Sequence, residues 1–187
     1  MTFAHATSDH IPAITSLINR SYRGDSSRAG WTTEADLLSG ARIDEIGLFQ
    51  LLNDSDSLIF IALSDEKVLA TIHAHREDNS VHFGLFAVEP TQQGGGVGKG
   101  LLAYAESEAH SLWGVNTAVM EVITHRSELI AYYERRGYVR TGKMIPFPTS
   151  TLWNQLTNNL VLEVLSKKLD FSEKLGSNNM AFSYDIP

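Results

Sequence analysis

The chain contains no cysteine. That excludes a disulfide framework, a thiolate metal site and a cysteine-bound acyl-enzyme, and it fits a cytoplasmic protein. Long apolar runs are also missing. Nothing approaches the roughly 18 residues needed to cross a bilayer, so no membrane partner is expected. Met1 to His10 carries neither the basic stretch nor the apolar core of a signal peptide. Basic residues are the minority, 15 against 22 acidic, for a net charge of −7. A nucleic-acid binder presents a basic patch, so this balance disfavours such a partner and mildly favours a cationic one, such as an amine.

What is present describes an ordinary globular domain: 187 residues, 43% apolar and 20% charged, with no repeats and no low-complexity tract. Phe3 to Thr7 reads as a short strand. Asp9 reads as the N-cap of an amphipathic helix carrying Ile11, Ile14, Leu17 and Ile18 to about Ser21. After a turn-rich loop from Gly24 to Gly30, Thr33–Leu38 and Asp44–Leu52 look helical. Three strands follow, Ser57–Leu63, Val68–Arg76 and Ser80–Val88, with hairpin turns at Asp65-Glu66 and Asp78-Asn79. A glycine-rich loop, Gly94 to Gly100, feeds a helix to about Leu112. Thr117–Ile123 is a strand, Ser127–Arg136 a helix stopped by Gly137, and Tyr138–Lys143 and Leu160–Leu165 are further strands. The order implies an α+β fold with a mixed sheet rather than regular βαβ alternation.

The segment from Val88 to Leu102 joins a strand to a helix. Glycine lets a ligand approach the backbone closely, and free N–H groups at a helix start favour an anion such as pyrophosphate. Two phosphate motifs are excluded by spacing. The P-loop would need glycine where Gln93 stands and Ser or Thr where Gly100 stands, and no frame supplies the dinucleotide fingerprint. What fits is Gln-x-x-Gly-x-Gly at Gln93, Gly96 and Gly98, after a strand ending Val88-Glu89-Pro90. A second motif, Tyr132-Tyr133-Glu134-Arg135-Arg136-Gly137-Tyr138, reads as a short helix stopped by glycine before a strand.

Together these motifs resemble the GCN5-related N-acetyltransferase (GNAT) superfamily, over at least Leu58 to Lys143 and by extension Phe3 to Leu169. The resemblance implies a mostly antiparallel mixed sheet flanked by helices, with acetyl-CoA as co-substrate. It implies that Phe86, Ala87 and Val88 form a bulged strand edge for the pantetheine arm. Gln93, Gly94, Gly95, Gly96, Val97, Gly98 and Lys99 would form the pyrophosphate loop. Tyr133 takes the position of the acid that protonates the departing thiolate. A phenol near pKa 10 can donate to a thiolate whose conjugate acid lies near 8.5, if held close. Tyr132 is read as packing. The family often has asparagine seven residues before that tyrosine; here the position is Arg126, kept as a coenzyme-binding candidate.

An alkylammonium near pKa 10.4 must lose a proton before it attacks a thioester. His75 should lie opposite His82 across the second hairpin, with His73 on the same face. These three, Glu34 and Glu121 are the candidate bases, and no metal is expected. The reading is one acetyltransferase domain over 1–169 that transfers acetyl directly to an unidentified amine. A tail or packing arm over 170–187 would lie on this chain or on a second copy in a homodimer. A non-catalytic acyl-CoA-binding module with the same fold is the rival, and an oxidoreductase is disfavoured by the glycine spacing.

Overall fold

The three strands expected between Ser57 and Val88 lie at the centre of the molecule. The computed structural model describes residues 1–30 and 32–170, so the expectation for 170–187 falls, but for Asp170, outside the described residues. In chain order the elements are β1 (Thr2–His5), α1 (Ile11–Tyr22), β2 (Leu38–Gly40), α2 (Glu45–Leu52), β3 (Ser57–Ser64), β4 (Lys67–Glu77) and β5 (Ser80–Val88). Then come α3 (Val97–Trp113), β6 (Thr117–Ile123), α4 (Ser127–Glu134), β7 (Val139–Pro146), β8 (Trp153–Gln155) and β9 (Val161–Lys168). Seven strands form one sheet in the order β1-β3-β4-β5-β6-β9-β7, and β2 pairs with β8 apart from it. Every neighbour in the large sheet is antiparallel except β5 and β6. A parallel pair needs a crossover, and α3 provides it.

Both hairpins turn where the sequence places them. Asp65 and Glu66 take positive φ, as a two-residue turn matched to strand twist demands. Strand alternation then sorts the apolar residues onto two faces. Phe60, Ile72, Val81 and Phe83 pack with Leu101, Leu102 and Ala105 of α3. On the other face Ile59 and Ile61 meet Ile14, Leu17 and Ile18 of α1 and Leu48 of α2.

Two local expectations are corrected. Asp9 is not a helix N-cap: Thr7 precedes a single 3-10 turn over Ser8–His10, and His10 accepts the Thr7 N–H at 3.0 Å. The α-helix starts at Ile11, where Pro12 suits the first turn. Thr33–Leu38 is not a helix either. Leu37 and Leu38 both donate to the Glu34 carbonyl at 2.9 Å, a single turn, and Leu38 then enters β2 against Gln155. Glu34 is buried and ion-paired, so tertiary capture of its side chain overrides the local helical pattern. In α2 the expectation holds, with Asp44 as N-cap accepting the Gly47 N–H at 2.7 Å.

The sheet splits at one place. β5 and β6 pair only through Ser80–Phe83 and Thr117–Met120, and their remaining residues have no partner in each other. Within the same stretch the β4–β5 register slips between Thr71 and His73, and Leu85 has φ +47°. That is a bulge, which bends a strand and re-aims its edge.

Candidate active site

The opening between β5 and β6 leads to a cleft with three connected parts. Its first part, a pocket of about 300 Å³, is lined by Gln93, Gly94, Gly96, Gly98, Lys99 and Tyr132, with Thr32, Val88, Arg135 and Arg136 around them. Gly96 sits at the N-cap of α3 with φ +87° and offers no side-chain cap. The first intrahelical bond runs from Gly100 N–H to the Gly96 carbonyl at 2.9 Å, so the amides of the opening turn face outward. A Cβ built on Gly96 meets nothing within 4 Å, whereas one on Gly98 comes 3.1 Å from Val88 Cγ2 and 3.2 Å from the Tyr132 hydroxyl. Gly98 thus lets the helix start lie against the strand, and Gly96 keeps the approach clear. Seventeen residues of helix dipole lie behind it. These features fit a pyrophosphate.

The other residues of that loop have separate places. Val97 is buried in the core, Lys99 is exposed, and Gly95 is exposed at the rim. The Gln93 side chain donates to Thr32 Oγ1 and to the Val88 carbonyl, both at 3.1 Å, which ties the loop to its supporting strand. The bulged edge also has a distinct orientation. Phe86 and Val88 turn their carbonyls away from β4, where Tyr22 Oη donates to Phe86 at 2.6 Å and Ser21 Oγ to Val88 at 3.3 Å. Ala87 pairs with Thr71 and is fully buried under α1.

A narrow neck bounded by Tyr22, Phe86, Arg126, Leu129, Tyr132 and Tyr133 connects this pocket to a cavity of about 170 Å³. The cavity wall includes Tyr22, Glu34, Arg42, Glu121, Tyr133 and Phe147. Tyr133 is 4% exposed and is held between the rings of Phe86, Tyr132 and Tyr138 at 6.5, 5.4 and 5.7 Å. Burial pushes its pKa well above the usual 10, so the hydroxyl keeps its proton. Two other buried tyrosines spend that proton within the protein. Tyr22 donates to Phe86 and Tyr138 donates to Glu106 Oε1 at 2.9 Å. The Tyr133 hydroxyl has no hydrogen-bond partner among the described residues. Tyr132 lies on the glycine-loop side, its ring under the Arg136 guanidinium at 3.2 Å.

The five candidate bases separate on geometry. Glu34 lines the cavity, but Arg126 Nη1 donates to its Oε1 at 2.9 Å and Arg23 Nη1 holds its Oε2. Arg126 also donates to the Thr32 carbonyl at 2.8 Å, so it fastens the Thr32–Glu34 segment to the start of α4. His75 does lie opposite His82 across the hairpin, with His73 opposite Gly84. None of the three histidines lines the cavity. Glu121 does, with His82 Nδ1 3.9 Å from its Oε1. No group of three or more His, Asp or Glu is arranged to hold a metal ion among the described residues.

His73 carries a testable consequence. Burial, then the neighbouring His75, lowers its pKa from 6.5 to about 4, while Ser57 Oγ lies 2.6 Å from its Nε2. The neutral ring is the folded form. Its contribution to stability is complete above pH 6.5 and is lost as pH falls toward 4. Between pH 7 and 5 this amounts to about 2 kcal/mol. Urea melts of wild type and His73→Gln at both pH values should therefore show the steeper acid loss in the wild type, and equal losses would sink the assignment.

Tyr22, Arg42 and Phe147 are cleft residues that motif reading misses. Tyr22 has a weak signal, since it extends the apolar stripe of α1, but Arg42 and Phe147 have none.

Known proteins place this architecture. The model of the acetyltransferase (GNAT) family matches residues 11–138. No curated protein sequence matches the chain. Among solved structures, the ribosomal-protein-S18-alanine N-acetyltransferase from Escherichia coli is 18% identical with a TM-score of 0.65, covering 97% of this chain and 99% of its own. A ribosomal-protein-alanine N-acetyltransferase from Brucella melitensis is 20% identical with a TM-score of 0.68, covering 90% and 100%. An aminoglycoside 6'-N-acetyltransferase complexed with coenzyme A is 14% identical with a TM-score of 0.64, covering 91% and 98%. At such identities the likeness is one of fold, but the family model spans more than half of the chain, and its glycine loop and tyrosine helix lie on the two walls of the cleft. The chain belongs to the GNAT acetyltransferase family.

Proposed function

We propose that the protein is an N-acetyltransferase that passes the acetyl group of acetyl-CoA directly to an amine, with Tyr133 as the acid. The observation that carries this reading is the Tyr133 hydroxyl, protonated and without a hydrogen-bond partner among the described residues, at the neck joining the glycine loop to the cavity. Acetyl-CoA, when bound, supplies an activated acetyl group as a thioester. The α3 amides hold the pyrophosphate, and the outward-facing Phe86 and Val88 backbone lies beside the pantetheine path. Glu121 is the base of choice among the five candidates, because it lines the cavity and is not held by two arginines. It accepts a proton from the acceptor ammonium, directly or through water, and Tyr133 gives one to the departing sulfur. Most of the rate then comes from holding amine and thioester together in a site shielded from water.

Acetyl-CoA at one hundred times its Kd should stabilise the fold by about 2.7 kcal/mol, read as a rise in Tm. The functional test adds a panel of amines and follows thiol release together with the mass of the acetylated product. Coenzyme binding with no amine-dependent thiol release would instead support a non-catalytic acyl-CoA-binding module.

A further inference from the structure

The arginines of this chain are mostly spoken for. Arg20 pairs with Glu89, Arg28 with Asp36, Arg76 with Asp56, Arg140 with Glu134, and Arg23 and Arg126 share Glu34. Arg42 differs. Its guanidinium lies between two rings, 5.9 Å from the centroid of Tyr22 and 5.6 Å from that of Trp153, and it lines the acceptor cavity. It makes no side-chain hydrogen bond or ion pair among the described residues. Stacking on aromatic faces leaves the N–H edge of an arginine free to meet a planar anion.

Two residues that touch the cavity wall, Arg23 through Glu34 and Trp153 through Arg42, carry donors without acceptors. These donors are Arg23 Nε and Nη2 and the indole N–H of Trp153, all buried and without a partner among the described residues. Two cations, Arg23 and Arg126, share the single charge of Glu34. Arg23 does not line the cavity, and the charges that do are balanced, Arg42 and Arg126 against Glu34 and Glu121; of these four, Arg42 is the one without an ion pair among the described residues. Buried donors ordinarily find acceptors, and an unpaired guanidinium on a cavity wall is the group that an entering carboxylate would meet. The opposite sign sits at Glu121, which suits an ammonium.

Accepting the acetyltransferase reading on which this rests, we infer that the acceptor is a small primary amine carrying a carboxylate. Arg42 grips the carboxylate and Glu121 receives the ammonium. The cavity of about 170 Å³ is below the roughly 300–1,000 Å³ that encloses a drug-sized ligand, so it matches a compact amino acid better than a bulky polycation. Polyamines and aminoglycosides would set an ammonium group against the Arg42 guanidinium.

The test compares free α- and ω-amino acids with their carboxamides as acceptors for the wild type. Spermidine, kanamycin and an alanine-initiated peptide amide are run alongside. Amino acids should exceed their amides in kcat/KM at least about tenfold, the scale of one charge-assisted contact. Arg42→Gln should raise KM for the carboxylates and close that gap, and Arg42→Lys, keeping charge without the planar fork, should restore part of it. Preference for the amides, the peptide amide or the polycations overturns the inference. So does a gap that survives Arg42→Gln, or a wild type that neither acetylates nor, when saturated with coenzyme A, binds any amino acid. Titration of wild type with acetyl-CoA separates the levels. No coenzyme binding removes the acetyltransferase reading itself, whereas binding with acetylation of other amines removes only the carboxylate assignment.

Discussion

Tyr133→Phe is expected to lower kcat at least about 100-fold while leaving the affinity for acetyl-CoA close to that of the wild type. General acid catalysis contributes about 10²–10⁴-fold, and the substitution removes only the hydroxyl. The ring remains, so the contacts with Phe86, Tyr132 and Tyr138 that hold it are kept. Stability should change little, because that hydroxyl has no protein partner among the described residues to lose. This separates Tyr133 from Tyr138, whose hydroxyl donates to Glu106 in the core, so that Tyr138→Phe should destabilise the fold instead. Tyr132→Phe is the closer control. Its hydroxyl faces Gly98 and the coenzyme loop, so any loss should appear in coenzyme affinity and not in kcat. Because burial raises the Tyr133 pKa well above 10, the wild type should show no alkaline loss of kcat from this group between pH 7 and 10. Steady-state kinetics on the three variants with one responsive amine decides the matter. Full kcat in Tyr133→Phe would mean that the thiolate leaves without a side-chain acid.

The pieces legible in the sequence are those whose signal is local. Strand alternation around Phe60 and Ile72, the turns at Asp65-Glu66 and Asp78-Asn79, and the glycine loop all depend on neighbours within a few residues. They are found where the pattern puts them. Thr33–Leu38 fails for the opposite reason. Glu34 is held by Arg126, 92 positions along the chain, and by Arg23, and no window of sequence contains that triad. β8 is equally hidden: three residues, Trp153, Asn154 and Gln155, become a strand only because β2 lies beside them. The same limit applies to the site. On the proposed reading the coenzyme side is a contiguous loop carrying a recognisable motif, whereas the acceptor side is assembled from α1, the segment before α2, β6 and the loop after β7. Glu34 and Glu121 are indistinguishable as carboxylates in the sequence. The ion pairs separate them: Glu34 is held by Arg23 and Arg126, whereas Glu121 lines the cavity with His82 Nδ1 3.9 Å from its Oε1.

Gly96→Glu is expected to abolish the stabilisation by acetyl-CoA in a protein that still folds. At φ +87° any L-residue is strained, at a cost of about 1–2 kcal/mol. A Cβ there points into open space, where nothing in the protein lies within 4 Å. The new side chain therefore does not disturb the core, but it fills the approach to the α3 amides and sets a carboxylate where a pyrophosphate must come. Like charges at contact, with the helix dipole already satisfied by the glutamate, leave no favourable mode of binding. Strain alone must be separated from blockage, and the other end of the same helix allows it. Gly114 caps α3 at φ +67°, also with nothing within 4 Å of a built Cβ, and lies outside the cleft. Gly114→Glu should pay a similar conformational cost and keep the full rise in Tm with acetyl-CoA. Gly96→Ala, strained but short and uncharged, should fall between the two. Thermal melts of the four proteins with and without coenzyme, supported by calorimetric titration, read out the series directly. An undiminished coenzyme shift in folded Gly96→Glu would place the pyrophosphate elsewhere, and equal losses in Gly96→Glu and Gly114→Glu would trace the effect to the helix and not to the loop.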